Sequence, residues 1–163
     1  DTQSEMVWQI GDHGFVLQLS PQIPQHLSEV APAALRALFA SAQPGFWAIH
    51  PGGRAIVDRL AELFALPAAQ VAASRAVLRR YGNLSSATIL FVLEELHRRL
   101  QKAQQAPNSQ RESAKALGHH SAHSVENSAL PAGVAMAFGP GLVVEMARLA
   151  YVPPGAKDEF GHG

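Results

Sequence analysis

Three polar features interrupt stretches that are otherwise apolar and bounded by glycine. His50 closes the run Phe46-Trp47-Ala48-Ile49 and is followed by Pro51-Gly52-Gly53. Asn83 follows Tyr81-Gly82 and precedes an apolar segment. Phe138-Gly139-Pro140-Gly141 separates two apolar runs. In open α/β sheets ligands favour the carboxyl ends of strands, where loops carry side chains over a rigid platform. His50 stands where an imidazole would meet such an end, and Asn83 stands before a helix N-terminus, where the dipole favours negative charge. An imidazole and a carboxamide can aim two donors at one developing oxyanion, which is chemistry without a nucleophile. Each feature also has an ordinary reading: a histidine satisfied after a strand, an asparagine acting as a cap or turn residue, a Gly-Pro-Gly that is only a turn. Residue pattern alone leaves both readings open. Gly52-Gly53 is too weak for a phosphate loop, because no Lys-Ser/Thr follows it.

The elements that would position these groups follow from hydrophobic spacing. Met6 to Ile10 and Phe15 to Leu19 read as two short strands around the turn Gly11-Asp12-His13-Gly14, ended by Pro21 and Pro24. A helix follows with Val30, Ala33, Ala34, Ala37 and Leu38 on one face and Pro32 near its start. Phe46 to Ile49 fits a buried strand. A second helix carries Ile56, Leu60, Leu63 and Phe64 on one face, and a third runs from about Ala69 to Arg80. Ser85 and Ser86 are N-cap candidates for a fourth helix with the stripe Ile89, Leu93, Leu96 and Leu100. Its first half, Ala87 to Leu93, is apolar nearly all round and is expected to be deeply buried. Residues 101–131 are rich in Gln, Ser, Ala and His, show no period, and read as a surface excursion. Two apolar runs, 133–138 and 142–150, are joined by a linker short enough for a hairpin. The expected architecture is α/β: one domain over residues 1–150, a mixed sheet of about five strands packed with helices, then a polar tail over 151–163.

Composition narrows the function classes. The chain has 163 residues, 47% of them hydrophobic and 16% charged, which suits one domain with a buried core. Its formal net charge is zero, which argues against nucleic-acid binding and against a polybasic membrane module. There is no cysteine, so this chain holds no disulfide, thiolate metal site or cysteine nucleophile. No apolar run reaches the roughly 18–20 residues that span a bilayer. No signal peptide is visible, and a cytoplasmic location is expected. The abrupt start at Asp1-Thr2-Gln3 suggests a piece of a longer chain.

The residues around the three features carry more than their spacing does. Phe46-Trp47-Ala48-Ile49-His50-Pro51-Gly52-Gly53 resembles the Trp-x-x-His-Pro-Gly-Gly motif around the catalytic histidine of type III polyketide synthases, the chalcone and stilbene synthase-like branch of the thiolase fold. Tyr81-Gly82-Asn83-Leu84-Ser85-Ser86 resembles their Tyr-Gly-Asn-Met/Leu-Ser-Ser motif. Ala137-Phe138-Gly139-Pro140-Gly141-Leu142 is similar to their Gly-Phe-Gly-Pro-Gly loop, with Ala137 in place of the first glycine. The order and separation of the motifs fit as well, over roughly residues 6–103 and 132–150. Ketoacyl synthases of the initiating class, which usually carry His-Gln-Ala-Asn, are less similar, as are thiolases, whose second cysteine in this half is missing here.

The resemblance implies a thiolase-like C-terminal half. Its N-terminal partner half would supply the nucleophilic cysteine and much of the coenzyme A entrance. His50 and Asn83 would be catalytic, polarising a thioester carbonyl and stabilising the enolate formed when malonyl-CoA loses carbon dioxide. The substrates implied are an acyl-CoA starter and malonyl-CoA, with no separate cofactor and no metal. Phe138, Gly139, Pro140 and Gly141 would shape the cavity wall, Ser85 would line it, and Leu17 sits where plant members often carry a gatekeeping phenylalanine. Arg54, which replaces a common proline, and Ala55 fall near the coenzyme A tunnel. The full-length protein is expected to be a homodimer, and its alanine and arginine content suggests a bacterial source. Gly118-His119-His120-Ser121-Ala122-His123 invites a metal reading, weighed against a solvated loop. A non-catalytic thiolase-like domain for binding or assembly is the alternative of a different class.

Overall fold

The computed structural model describes residues 6–12, 14–105 and 132–153. The first two strands, β1 (Met6–Gly11) and β2 (Gly14–Leu19), form an antiparallel hairpin in which Trp8 opposes Leu17. Helix α1 (Ile23–Phe39) follows, then the short strand β3 (Trp47–Ile49), α2 (Arg54–Leu63) and α3 (Ala72–Tyr81). A single 3-10 turn (Ser85–Ala87) leads into α4 (Thr88–Gln105). The chain then returns as β4 (Ala132–Gly139) and β5 (Val143–Ala150). β4 lies in the middle, parallel to β3 and antiparallel to β5.

The two faces of this sheet differ in side-chain size, and that difference arranges the helices. Trp47 and Ile49 of β3 stand beside Val134 and Met136 of β4, and these four join a core with Ile23, Leu27, Val57 and Leu60 of α1 and α2. The alternate positions are Ala48 and Ala135, which face Ala73 and Val77 of α3 and Val92 of α4. Successive strand residues point to opposite faces, so an alanine pair on one side lets α3 and α4 come close. Gly133 has the same logic: a Cβ there would fall 2.2 Å from the Phe46 ring, so the aromatic occupies the space a side chain would need.

Several expectations are corrected. The sheet holds three strands rather than about five among the described residues, because β1 and β2 pair with each other and form a separate two-stranded unit. α1 begins at Ile23, so Pro24 rather than Pro32 occupies its first turn and Pro32 lies inside the helix. Its buried stripe is Ile23, Leu27, Ala31, Leu35 and Phe39, not the face through Val30, Ala33, Ala34, Ala37 and Leu38. Both stripes satisfy helical spacing, but the first presents more apolar area to the core. α4 is helical to Gln105 and starts at Thr88, with Ser85 and Ser86 inside the 3-10 turn that precedes it rather than at its N-cap. The expected deep burial of its first half does not occur: Leu90 is 64% and Phe91 41% exposed, while Thr88 and Val92 are buried. The apolar coat all round that half therefore exceeds what α3 and β3 can cover from one side. Tyr151 is buried and its hydroxyl donates to Gln104 Oε1 at 3.3 Å, so the chain is tied to α4 just beyond β5.

Gly133→Ala should destabilise the fold by about 1–3 kcal/mol or more, because the aromatic must leave its site. Gly139→Ala, with open space at its Cβ, should change stability far less. Urea midpoints of the two variants measure the contrast.

Candidate active site

His50 leaves the sheet immediately after β3. Its backbone N–H donates to Met136 O at 2.8 Å, extending the parallel ladder one residue beyond the strand. The strand's outer edge is satisfied by a side chain: Ile49 N–H donates to Ser74 Oγ of α3 at 3.2 Å, with Ser74 fully buried. The residue before His50 is thus held from both flanks. The imidazole is buried, and among the described residues nothing hydrogen-bonds its ring. Desolvation by that burial pushes its pKa below the ordinary histidine value, so the neutral ring is favoured.

Asn83 reaches the same loop from the α3–α4 connection. Gly82 ends α3 with φ 72°, and Ser85 also has positive φ, at 58°. A non-glycine residue in that region costs on the order of 1–2 kcal/mol, so the surroundings must hold it there. Asn83 does so directly, its Oδ1 accepting from Ser85 N–H at 2.9 Å and from Thr88 Oγ1 at 3.3 Å. Its Nδ2 donates to Gly52 O at 3.1 Å. Gly52 N–H in turn donates to His50 O at 3.0 Å. A Cβ added at Gly52 would lie 3.8 Å from His50 Nε2 and 3.0 Å from Ile56 Cδ1. The edge of the imidazole and the end of the carboxamide therefore both lie beside one glycine. With one Nδ2 proton committed to Gly52 O, the second is left for a ligand.

The remaining sequence-derived residues divide into two groups. β3 and β4 run parallel with Ile49 opposite Met136, so their carboxyl ends share an edge, and Phe138, Gly139, Pro140 and Gly141 lie at that edge with His50. Phe138 is half-buried against the larger core, and Gly141 turns the chain with φ 71°. β1 lies against this turn, which brings the hairpin carrying Leu17 to the same end of the sheet. Ser85 is exposed beside Asn83. Arg54 and Ala55 are exposed on the first turn of α2. Arg54 pairs with Asp58 at 3.8 Å and lines a groove of about 960 Å³ between α2 and α3. Asp58 is also bound by Arg75 at 2.7 Å, and neither His50 nor Asn83 lines the groove. The histidine cluster at 119, 120 and 123 lies outside the described residues. No group of metal-binding side chains occurs among the described residues, and no described helix is long and apolar enough to cross a membrane.

Thr88 and Ser74, which bond Asn83 and the residue before His50, were not singled out by spacing. Each is a fully buried hydroxyl among apolar neighbours, Thr88 at the head of the apolar run and Ser74 beside Ala73 on the inner face of α3. A lone hydroxyl on an apolar stripe was the available signal.

The chain matches the family "Chalcone and stilbene synthases, C-terminal domain" over residues 1–153. It belongs to that family. Among solved structures it is similar to PKS-I from the brown alga Ectocarpus siliculosus, with a TM-score of 0.69, 26% identity, and coverage of 93% of this chain and 36% of that one. It is also similar in fold to the C-terminal type III polyketide synthase domain of Steely1, a type I/III hybrid from Dictyostelium, with a TM-score of 0.65, 24% identity, and coverage of 92% and 37%. The fold is therefore thiolase-like, that of the C-terminal half of a type III polyketide synthase. The chain spans just over a third of the length of each of these chains.

Two outcomes are expected of this polyketide synthase domain. Ser74→Ala strands the Ile49 N–H in the interior and should cost about 1–3 kcal/mol in a denaturation experiment. Because His50 binds its proton less readily folded than unfolded, the unfolded state takes up more protons below the ordinary 6.5. Stability should be complete above that pH and decline as pH falls from there through the depressed folded value. Subtracting the urea stability profile of His50→Gln from that of the parent isolates this component.

Proposed function

We propose that this domain supplies the oxyanion site of a type III polyketide synthase, an acyltransferase that condenses an acyl-CoA starter with malonyl-CoA. The observation that supports the reading is that a buried imidazole, hydrogen-bonded at its ring by no described residue, and a carboxamide both lie beside Gly52. When malonyl-CoA loses carbon dioxide, the electron pair of the broken C–C bond moves into the thioester and places negative charge on its oxygen. A neutral imidazole offers one N–H and the second Nδ2 proton of Asn83 another, both to that oxygen. Burial suits the histidine to this task, since it keeps the ring neutral and strengthens the bond it gives. The enolate carbon then attacks the acyl carbon held on a cysteine, and the tetrahedral adduct collapses as the C–S bond breaks and the cysteine leaves as thiolate.

The cysteine comes from elsewhere, because this chain has none. Tyr81 and Leu84 beside Asn83, and Leu90 and Phe91 on α4, leave exposed apolar surface, which a preceding half of the synthase would cover. The same assembly would close the cavity over Phe138, the Gly139-Pro140-Gly141 turn, Ser85 and the strand of Leu17. Arg54 and Ala55 would stand toward the coenzyme A side, and the full-length protein would act as a homodimer.

In the full-length synthase, His50→Ala and Asn83→Ala should each lower malonyl-CoA decarboxylation by about 10²–10³, the usual cost of one oxyanion donor. A wild-type rate in either variant would refute the assignment. The 163-residue chain alone should transfer no acyl group, and turnover by the purified chain would overturn that expectation.

A further inference from the structure

A carboxamide serves an oxyanion only while its nitrogen faces the ligand. Rotating the group by half a turn exchanges N–H for C=O with almost no change in shape, and attraction becomes repulsion. Three contacts set the orientation of Asn83. Ser85 N–H and Gly52 O are backbone groups that no side-chain exchange removes. The third partner, Thr88, is the single side chain among them.

The Thr88 hydroxyl has little freedom of its own. Its oxygen accepts from Leu84 N–H at 2.7 Å, so its one proton must be given elsewhere, and Asn83 Oδ1 lies 3.3 Å away. The residue is fully buried, so solvent does not compete for that proton. Its branched Cβ at the start of α4 restricts rotation about χ1. The hydroxyl thus passes direction from the backbone of Leu84 to the carboxamide of Asn83.

We propose that Thr88 is a positioning residue that keeps the Asn83 carboxamide turned with its nitrogen toward the enolate oxygen; this rests on the reading of Asn83 as an oxyanion donor. A purely structural role would be the satisfaction of Leu84 N–H at the 3-10 turn. The two roles separate in kinetics: loss of a cap lowers stability, whereas loss of orientation lowers kcat and leaves KM in place.

The test uses the full-length synthase with Thr88→Val, which keeps the shape and removes the hydroxyl, and Thr88→Ser, which restores it. Malonyl-CoA decarboxylation by T88V should lose about ten-fold in kcat, roughly the worth of one buried hydrogen bond, with KM within about two-fold. T88S should return to within about two-fold of wild type. In NMR spectra of the same full chains, the Asn83 side-chain amide protons should exchange with solvent about ten-fold faster in T88V than in wild type or T88S, by the same energetic equivalence. Wild-type kcat in T88V, a loss that T88S does not recover, or unchanged amide exchange would each overturn the proposal. If T88V fails to fold, Thr88→Ala reads the same quantities. Asn83→Ala separates the two claims: full decarboxylation in that variant defeats the functional reading, while the amide exchange rates still decide whether Thr88 orients Asn83.

Discussion

One hydrogen bond, from Asn83 Nδ2 to Gly52 O, joins the two parts of the chain that the proposed chemistry would use. It crosses from the α3–α4 connection to the loop between β3 and α2. Each side is anchored separately: His50 by the ladder to β4 and Ser74 at the outer edge of β3, Asn83 by Ser85 and Thr88. The bond between them turns two local structures into one site, and it also fixes which face of the carboxamide is left over. One proton of the Asn83 nitrogen thus has a structural duty, and the other is the one the proposed chemistry would use.

The closeness of these two loops is a consequence of packing on the sheet. Ala48 and Ala135 on one face allow α3 and α4 to approach, while Trp47, Ile49, Val134 and Met136 fill the opposite face under α1 and α2. A larger side chain at Ala48 or Ala135 would push α3 and α4 outward and move Asn83 away from Gly52 without touching either residue. The parallel pairing of β3 with β4 then gathers the Gly139-Pro140-Gly141 turn at the same end as His50. Chemistry at the carboxyl end of strands is the usual arrangement in α/β sheets, and here the register of three residue pairs secures it.

The electrostatic character of the site comes from burial rather than from charge. Asp58 on α2 is bound to Arg75 of α3 and lies close to Arg54, away from His50. His50 faces no described partner, and desolvation alone holds its ring toward the neutral form. Exposed apolar side chains at Tyr81 and Leu84 flank Asn83 in the chain, with Leu90 and Phe91 exposed on the first turns of α4. A site with this surround excludes water once covered, and a neutral donor gains strength as the local dielectric falls.

The order of elements, the hairpin ends, the buried run before His50 and the motifs of the family were all legible in the sequence, because they rest on local periodicity and on contiguous residues. The spacing of polar groups also marked His50 and Asn83 as candidates for one oxyanion. What local pattern could not decide was which of two adequate stripes α1 would bury, whether the first hairpin would join the main sheet, and how much of α4 a single neighbour could cover. Each of those depends on area offered by residues distant in the chain. Gly52 beside both groups, Ser74 at the strand edge and Thr88 behind the carboxamide are likewise tertiary facts. A hydroxyl's role is set by the donor and acceptor that folding brings to it, and no spacing in the sequence records that pairing.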